Sequence, residues 1–87
     1  MRKSKELEAF RIQLGVTLQA LRKDKTNYNQ EEMGKKVAMS QKGISDVESG
    51  KTLANGYMIY MYCKLCQTEP NELFEMLEKS LDRTRIK

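Results

Sequence analysis

The residues best suited to chemistry in this sequence are Cys63 and Cys66, which are separated by two residues. In an intracellular protein this C-x-x-C spacing can form a redox pair or half of a metal site. A tetrahedral metal site would need two further ligands, yet the chain has no histidine and no third cysteine. Neighbouring turns of a regular helix also seldom offer disulfide geometry. We therefore expect both cysteines to pack in a core, without metal or cofactor, and keep a redox or metal role as the alternative.

No other part of the sequence resembles a catalytic site. Histidine, the commonest general base and the commonest metal ligand, is absent. The sequence also lacks a nucleophile elbow, a phosphate-binding glycine loop and a dinucleotide fingerprint. It therefore predicts a protein that is not an enzyme.

The positive charge of the chain is concentrated near its start. The net charge is +4, and residues 1–36 contain nine Lys or Arg against five Asp or Glu. Residues 37–52 and residues 53–87 are each balanced. A one-sided basic field favours a polyanion such as nucleic acid, or an anionic membrane surface, although a solvated basic face has the same composition.

The sequence contains no segment typical of a membrane or secreted protein. No apolar run approaches the roughly 20 residues that a membrane helix needs. The basic residues Arg2, Lys3 and Lys5 are followed by Glu6 and Glu8 rather than by an apolar leader segment. With two cysteines and no export signal, we expect no membrane partner and a location in the reducing cytoplasm.

Apolar residues recur at three- and four-residue intervals, which predicts helices and no strands. We expect one domain over residues 1–87, with a core of residues 7–78 and a short charged tail of residues 79–87. The first helix is predicted from Ser4 to Lys25, with Gly15 as its weak point. Its apolar face consists of Leu7, Phe10, Leu14, Leu18 and Leu21.

Turn-prone and capping residues divide the rest of the chain into four more helices. Asn29 with Glu32 forms a capping-box pattern at the start of a second helix, and Ser40 can cap a third, which ends at Gly50. A fourth helix is predicted from Asn55 to Lys64. The fifth starts near Pro70 and carries Leu73, Phe74 and Leu77.

The second and third helices are too short to be stable alone, so they must pack on each other and on a longer helix. This is the helix-turn-helix arrangement, whose second helix enters the major groove of DNA. The apolar residues expected to point inward are Met33, Val37, Met39, Ile44 and Val47. The polar residues left outside, which can read base edges, are Gln41, Lys42, Ser45 and Asp46.

The run QEEMGKKVAMSQKGISDVESGKT, residues 30–52, resembles the helix-turn-helix of the phage repressor/Cro family, also called the XRE family. The resemblance extends through LQALRKDK, residues 18–25, and PNELF, residues 70–74. It implies an all-α, five-helix, lambda-repressor-like DNA-binding domain. The family usually has alanine where Gly34 stands and glycine where Ala38 stands. We therefore expect Ala38 to adopt a left-handed conformation at a cost of about 1 kcal/mol.

The resemblance also assigns contacts with double-stranded DNA. It implies base reading by Gln41, Lys42, Ser45 and Asp46, and backbone contacts by Gln30, Ser40, Lys51 and Asn55. The favoured partner of Lys42 is a guanine and that of Gln41 an adenine. Asp46 could accept from a cytosine amine or repel phosphates and sharpen specificity. Outside such a motif, Lys42 and Lys51 would be interpreted as ordinary surface lysines.

The resemblance further implies a structural ion pair between Arg22 and Glu48. In the fourth helix it implies core positions for Ile59, Tyr62, Cys63 and Cys66, and positions that are normally polar for Tyr57, Met58 and Met61. Large apolar residues at polar positions mark a contact surface. We expect a dimer face made of Tyr57, Met58, Met61, Leu77 and Leu81.

Together these observations predict a sequence-specific DNA-binding transcriptional regulator, a repressor that reads a palindromic operator as a homodimer. A single short helix reads only a few base pairs, and twofold pairing is the usual remedy. The alternative is a protein-interaction module, such as an antitoxin or an accessory subunit, whose main partner is a protein. The surplus of large apolar residues around the fourth helix supports that alternative.

Overall fold

Five helices make up the protein in a computed structural model that describes residues 5–84. They are α1 (Lys5–Lys25), α2 (Gln30–Val37), α3 (Gln41–Glu48), α4 (Gly56–Leu65) and α5 (Pro70–Thr84). No strand occurs in this described range. The predicted all-α, five-helix fold is confirmed. The expected start of α1 at Ser4 lies outside the described residues.

The short helices begin at side chains that satisfy free backbone amides, as helix amino ends require. At α2, Asn29 Oδ1 accepts from the Glu32 amide at 2.8 Å, and the Glu32 carboxylate accepts from the Asn29 amide at 2.9 Å. Ser40 Oγ accepts from the amide of Gly43 at 3.0 Å to start α3. The capping residues predicted for both helices are therefore present.

The turn between α2 and α3 depends on two small residues. Ala38 adopts the expected left-handed conformation, with φ 63° and ψ 44°. The amide of Met39 donates to the carbonyl oxygen of Gly34 at 2.8 Å. A Cβ atom on Gly34 would lie 2.6 Å from the carbonyl oxygen of Met39, closer than such atoms can approach. The close crossing therefore requires glycine at position 34, and the turn accepts alanine at position 38.

All five helices contribute to one hydrophobic core. Tyr62, Cys63 and Cys66 are buried, as predicted, whereas Ile59 is only partly buried against the core. The other buried apolar side chains are Leu14, Leu18, Leu21, Met33, Val37, Ile44, Val47, Ala54, Met58, Leu73, Leu77 and Leu81. The core therefore reaches from α1 through both short helices to the last turns of α5.

Three residues of the expected dimer face are part of this core. Met58 is 1% exposed, Leu77 is 2% exposed and Leu81 is 8% exposed. Met58 lies one turn before the buried Tyr62, so both face inward, and Leu77 and Leu81 repeat at the four-residue spacing of the buried side of α5. The expectation that Met58 is exposed was therefore wrong, and the burial of Leu77 and Leu81 in the core contradicts their place in the expected dimer face. Tyr57 is exposed and Met61 is half-buried.

The helical boundaries and the outer apolar residues also differ from expectation. Helix α5 continues through Thr84, so residues 79–84 are not a tail, and residues 85–87 lie outside the described range. Leu7 at 47% and Phe74 at 40% are exposed, although both were expected on apolar faces. Periodicity placed them within a turn of core residues, but no neighbouring helix covers them fully.

A buried carboxylate joins four of the five helices. Arg22 of α1 donates through Nε and Nη2 to the two oxygens of Glu48, each at 2.9 Å, so the predicted ion pair is present. Glu48 Oε1 also accepts from Gln30 Nε2 of α2 at 3.0 Å. Its Oε2 accepts from the Tyr62 hydroxyl of α4 at 2.7 Å. Glu48 ends α3, so these bonds fix the carboxyl end of that helix.

Burial and hydrogen bonding act in opposite directions on Glu48. Burial alone would raise the pKa of Glu48, but hydrogen bonds from Arg22, Gln30 and Tyr62 outweigh it and lower the pKa below its usual range. For Tyr62, burial and its bond to Glu48 both raise the pKa of the phenol. The network therefore holds an ionised carboxylate and a protonated phenol at neutral pH.

The backbone of α3 lies directly against α1 at Gly15. A Cβ atom at this position would overlap the carbonyl oxygen of Val47 and lie 3.0 Å from the carbonyl oxygen of Glu48. Both atoms belong to the backbone and cannot rotate away. The glycine that weakens α1 by propensity is therefore what allows α3 to pack against it.

Replacing Gly15 with alanine should lower the free energy of unfolding by about 1–3 kcal/mol, because overpacking outweighs the higher helix propensity of alanine. Urea denaturation monitored by circular dichroism measures this change. Gly56→Ala is the matched control, since a Cβ atom there meets nothing within 4 Å. A Gly15→Ala variant as stable as Gly56→Ala would contradict the close approach of α1 and α3.

Removing the hydroxyl in Tyr62→Phe should lower the free energy of unfolding at pH 7 by about 1–3 kcal/mol, because a bond to a buried charge is lost. Tyr60→Phe should have almost no effect, since Tyr60 is 58% exposed.

The pKa of Glu48 is lower in the folded protein than in the unfolded chain, so the ionised carboxylate stabilises the fold. This contribution is complete above the unfolded pKa of about 4.3 and is lost as the pH falls through the folded pKa.

The stability difference between the wild type and Tyr62→Phe should therefore be largest at neutral pH and shrink in acid. Urea titrations repeated at decreasing pH test this point. A difference that stayed constant until the protein unfolded in acid would show that the hydroxyl does not act on an ionised Glu48.

Candidate nucleic-acid interface

The second and third helices form a pair whose outer surface is polar. Helices α2 and α3 pack on each other, and α3 also packs on α1. Ile44 and Val47 of α3 are buried at 0% and 2% exposure, which fixes the inner side of the helix. The opposite side of α3 is therefore presented away from the core.

The four residues expected to read bases lie on this outer side of α3. Gln41 and Lys42 in the first turn are exposed, and Ser45 and Asp46 one turn later are half-buried. Helical periodicity places all four within one face. The structure therefore brings these four predicted residues together on a surface that an approaching duplex could reach.

Lys42 and Asp46 form an ion pair across one helical turn. The distance between Lys42 Nζ and Asp46 Oδ2 is 3.1 Å, with the lysine side chain 81% exposed and the aspartate side chain 25% exposed. The first turn of α3 contains no acidic residue. The partner of Lys42 therefore comes from the next turn of α3. This ion pair was not predicted from the sequence.

The residues expected to contact the DNA backbone surround this face, and two of them are also helix caps. Ser40, Lys51 and Asn55 are exposed. Ser40 Oγ accepts from Gly43 as described above, and Asn55 Oδ1 accepts from the amide of Met58 at 2.8 Å. The Ser40 hydroxyl proton and the Asn55 amide group keep donor capacity for a phosphate.

Gln30 connects the outer face to the buried carboxylate. Its side chain donates one N–H from Nε2 to Glu48 Oε1 at 3.0 Å. A primary amide carries two hydrogens on this nitrogen, so a second donor remains. Gln30 is also the first residue of α2, where backbone amides are free. The side chain is thus held in position while it keeps a donor for an anion.

The participation of Gln30 and Tyr62 in the Glu48 network was not predicted. The only signal in the sequence was a tyrosine at a core position, since a buried phenol usually finds a hydrogen-bond partner. Which acceptor it finds depends on how the helices pack. The sequence spacing of Tyr62 and Glu48 carries no information about that contact.

The two cysteines are buried free thiols in the core. Burial raises the pKa of Cys66 to about 11, and burial followed by the charge of Glu69 raises the pKa of Cys63. Both thiols therefore stay protonated at neutral pH, which disfavours metal binding and nucleophilic chemistry. Within residues 5–84, no group of three or more His, Cys, Asp or Glu could hold a metal ion.

The outer surface of α4 carries the largest exposed aromatic side chains. Tyr57 is 53% exposed and Tyr60 is 58% exposed. The Lys64 ammonium lies 6.0 Å from the centroid of the Tyr60 ring. We call Tyr57, Tyr60 and the half-buried Met61 the α4 surface. No helix in the described part of the chain is long and apolar enough to cross a membrane.

A sequence profile described as helix-turn-helix matches residues 18–73. This range begins within α1 and ends in the first turn of α5, so it covers well over half of the chain and includes all of α2, α3 and α4. No curated protein shows a significant match to the chain. The capped α2–α3 pair and its polar outer face agree with this profile match. The chain therefore belongs to the helix-turn-helix family of the phage repressor/Cro (XRE) type, whose members are DNA-binding transcription regulators.

Proposed function

We propose that this regulator is a sequence-specific repressor that reads a palindromic operator as a homodimer. The observation that carries the proposal is the orientation of α3. Its inner side is fixed by the buried Ile44 and Val47, while Gln41 and Lys42 are exposed in its first turn. A helix held in this way can present its amino end to the major groove.

The polar groups on the interface match the chemistry of base edges and phosphates. The Lys42 ammonium can donate to O6 and N7 of guanine, and the Gln41 amide can pair with N6 and N7 of adenine. Lys51 and the second N–H of Gln30 supply donors for phosphates, and contacts of this kind set the register of the protein on the duplex. Positioning and base reading would therefore come from different residues.

The size of α3 supports action as a dimer. Its eight residues span about 12 Å, which corresponds to only a few base pairs. Two copies related by twofold symmetry would double the sequence that is read and would require a palindromic site. The α4 surface is the candidate contact, because exposed aromatic residues are frequent at such interfaces.

Selection from a random DNA pool, followed by electrophoretic mobility shift, tests the proposal. We expect a palindromic consensus whose half-sites lie one helical turn apart, because twofold-related recognition helices enter successive major grooves. Binding that depends on salt but is blind to sequence would contradict a specific operator. Repression can then be measured with the selected site placed in a reporter promoter.

Tyr57→Asp should shift the solution mass toward that of a monomer, because the substitution places a charge in the proposed contact while leaving the core intact. Analytical ultracentrifugation of the free protein measures the mass. Met76→Asp is the matched control, since Met76 is a 38% exposed apolar residue on α5, outside the α4 surface. Equal masses for the wild type and Tyr57→Asp would remove the α4 surface from the dimer proposal.

A second candidate is a protein-interaction module whose partner binds the same surface. Tyr57 and Tyr60 are each more than half exposed, which favours this candidate independently of the α2–α3 pair. A large gain in thermal stability with a protein partner, together with an absence of DNA binding, would favour it over the repressor.

A further inference from the structure

The Lys42–Asp46 pair occupies the part of α3 that the proposed function brings to DNA. Lys42 is the second residue of α3, where the helix dipole is positive and a cation is disfavoured. The nearest negative charge is the Asp46 carboxylate, 3.1 Å from Nζ. An exposed pair adds little stability in water, so its effect on the direction of the lysine side chain matters more than its effect on folding.

The backbone of Asp46 is fixed more firmly than that of an ordinary helix residue. Its carbonyl oxygen accepts from the amide of Lys51 at 2.8 Å and from the amide of Thr52 at 3.2 Å. The Ser49 hydroxyl also donates to it at 3.3 Å. The Asp46 side chain is 25% exposed and the Lys42 side chain 81% exposed, so the aspartate is the more enclosed partner. The aspartate is therefore the better anchored of the two residues, and the exposed lysine side chain is the less constrained one.

A carboxylate in a DNA groove faces strong repulsion from phosphates unless it is paired with a cation. In the protein, one Asp46 oxygen already contacts Lys42, and the lysine extends further toward solvent. Asp46 Oδ1 is not part of this pair, but the aspartate side chain is the less exposed of the two, so the lysine meets an approaching base edge first. Contact between Lys42 and guanine would preserve the pair, because an ammonium has three donors and can serve both acceptors.

We propose that Asp46 is a positioning residue that directs the Lys42 ammonium at the O6 and N7 acceptors of one guanine, and does not itself read a base. This inference rests on the proposed sequence-specific function. The pair strengthens when the interface excludes water, because charges interact more strongly at low dielectric. The specificity at one base pair therefore depends on two residues, only one of which touches DNA.

The proposal is tested on the full chain with the consensus selected by the wild type. Binding is measured for all four bases at each position, for the wild type, Lys42→Ala, Asp46→Ala and the double variant. Asp46→Ala and Lys42→Ala should lose discrimination at the same base pair, each by about tenfold. The double variant should lose no more there than Lys42→Ala alone, because the two residues act as one unit.

Two further measurements separate positioning from damage to the fold. Asp46→Glu keeps a carboxylate within reach of Lys42 and should retain the wild-type preference at that base pair. Asp46→Ala should bind random DNA at least as tightly as the wild type, because a negative charge is lost from the interface. Glu75→Ala makes the same charge change at an exposed residue of α5 and should leave the base preference unchanged.

The outcomes distinguish this inference from the proposed function. A wild type that selects no consensus would overturn both. A consensus with Asp46→Ala changing the preference at a different base pair from Lys42→Ala would overturn only the positioning role, since Asp46 would then read its own base. Unchanged discrimination in Asp46→Ala would overturn it as well.

Discussion

The carboxylate of Glu48 is the group on which the arrangement of the other elements depends. Its two oxygens accept four hydrogen bonds from Arg22, Gln30 and Tyr62, which lie on three different helices. The side chain is fully buried, so a missing donor would leave a charge in an apolar interior, and removing one partner of a buried pair is strongly destabilising. The ends of α1, α2 and α4 are therefore constrained to meet at the last residue of α3.

Close backbone packing also holds α3 in place. Propensity cannot maintain two eight-residue helices, so their stability comes from packing. Gly15 allows the backbone of α3 to approach α1, and Gly34 allows the turn to approach α2. Ile44 and Val47 then occupy the core. The buried charge and the close approach at Gly15 thus fix the carboxyl end of the recognition helix, and the close approach at Gly34 fixes the turn that leads into its amino end.

Much of this arrangement could be predicted from local sequence, and the rest depends on contacts that local sequence does not determine. The caps at Asn29 and Ser40 were predictable because a cap and its amide lie three residues apart. The burial of Met58 was not, because periodicity shows which residues share a face of α4 but not which face another helix covers. The bond from Tyr62 to Glu48 and the necessity of Gly15 arise from helices that are distant in sequence. The DNA contacts of the interface residues stay predictions.

The turn between α2 and α3 also restricts which substitutions this chain accepts. Relatives of the phage repressor/Cro type usually carry alanine before glycine in this turn, whereas here Gly34 precedes Ala38. In this backbone, alanine at 34 would meet the carbonyl oxygen of Met39, and alanine at 38 adopts a left-handed conformation. A chain with alanine at both positions would carry both penalties in this backbone. Glycine at both positions would carry neither, so the two positions constrain substitution jointly.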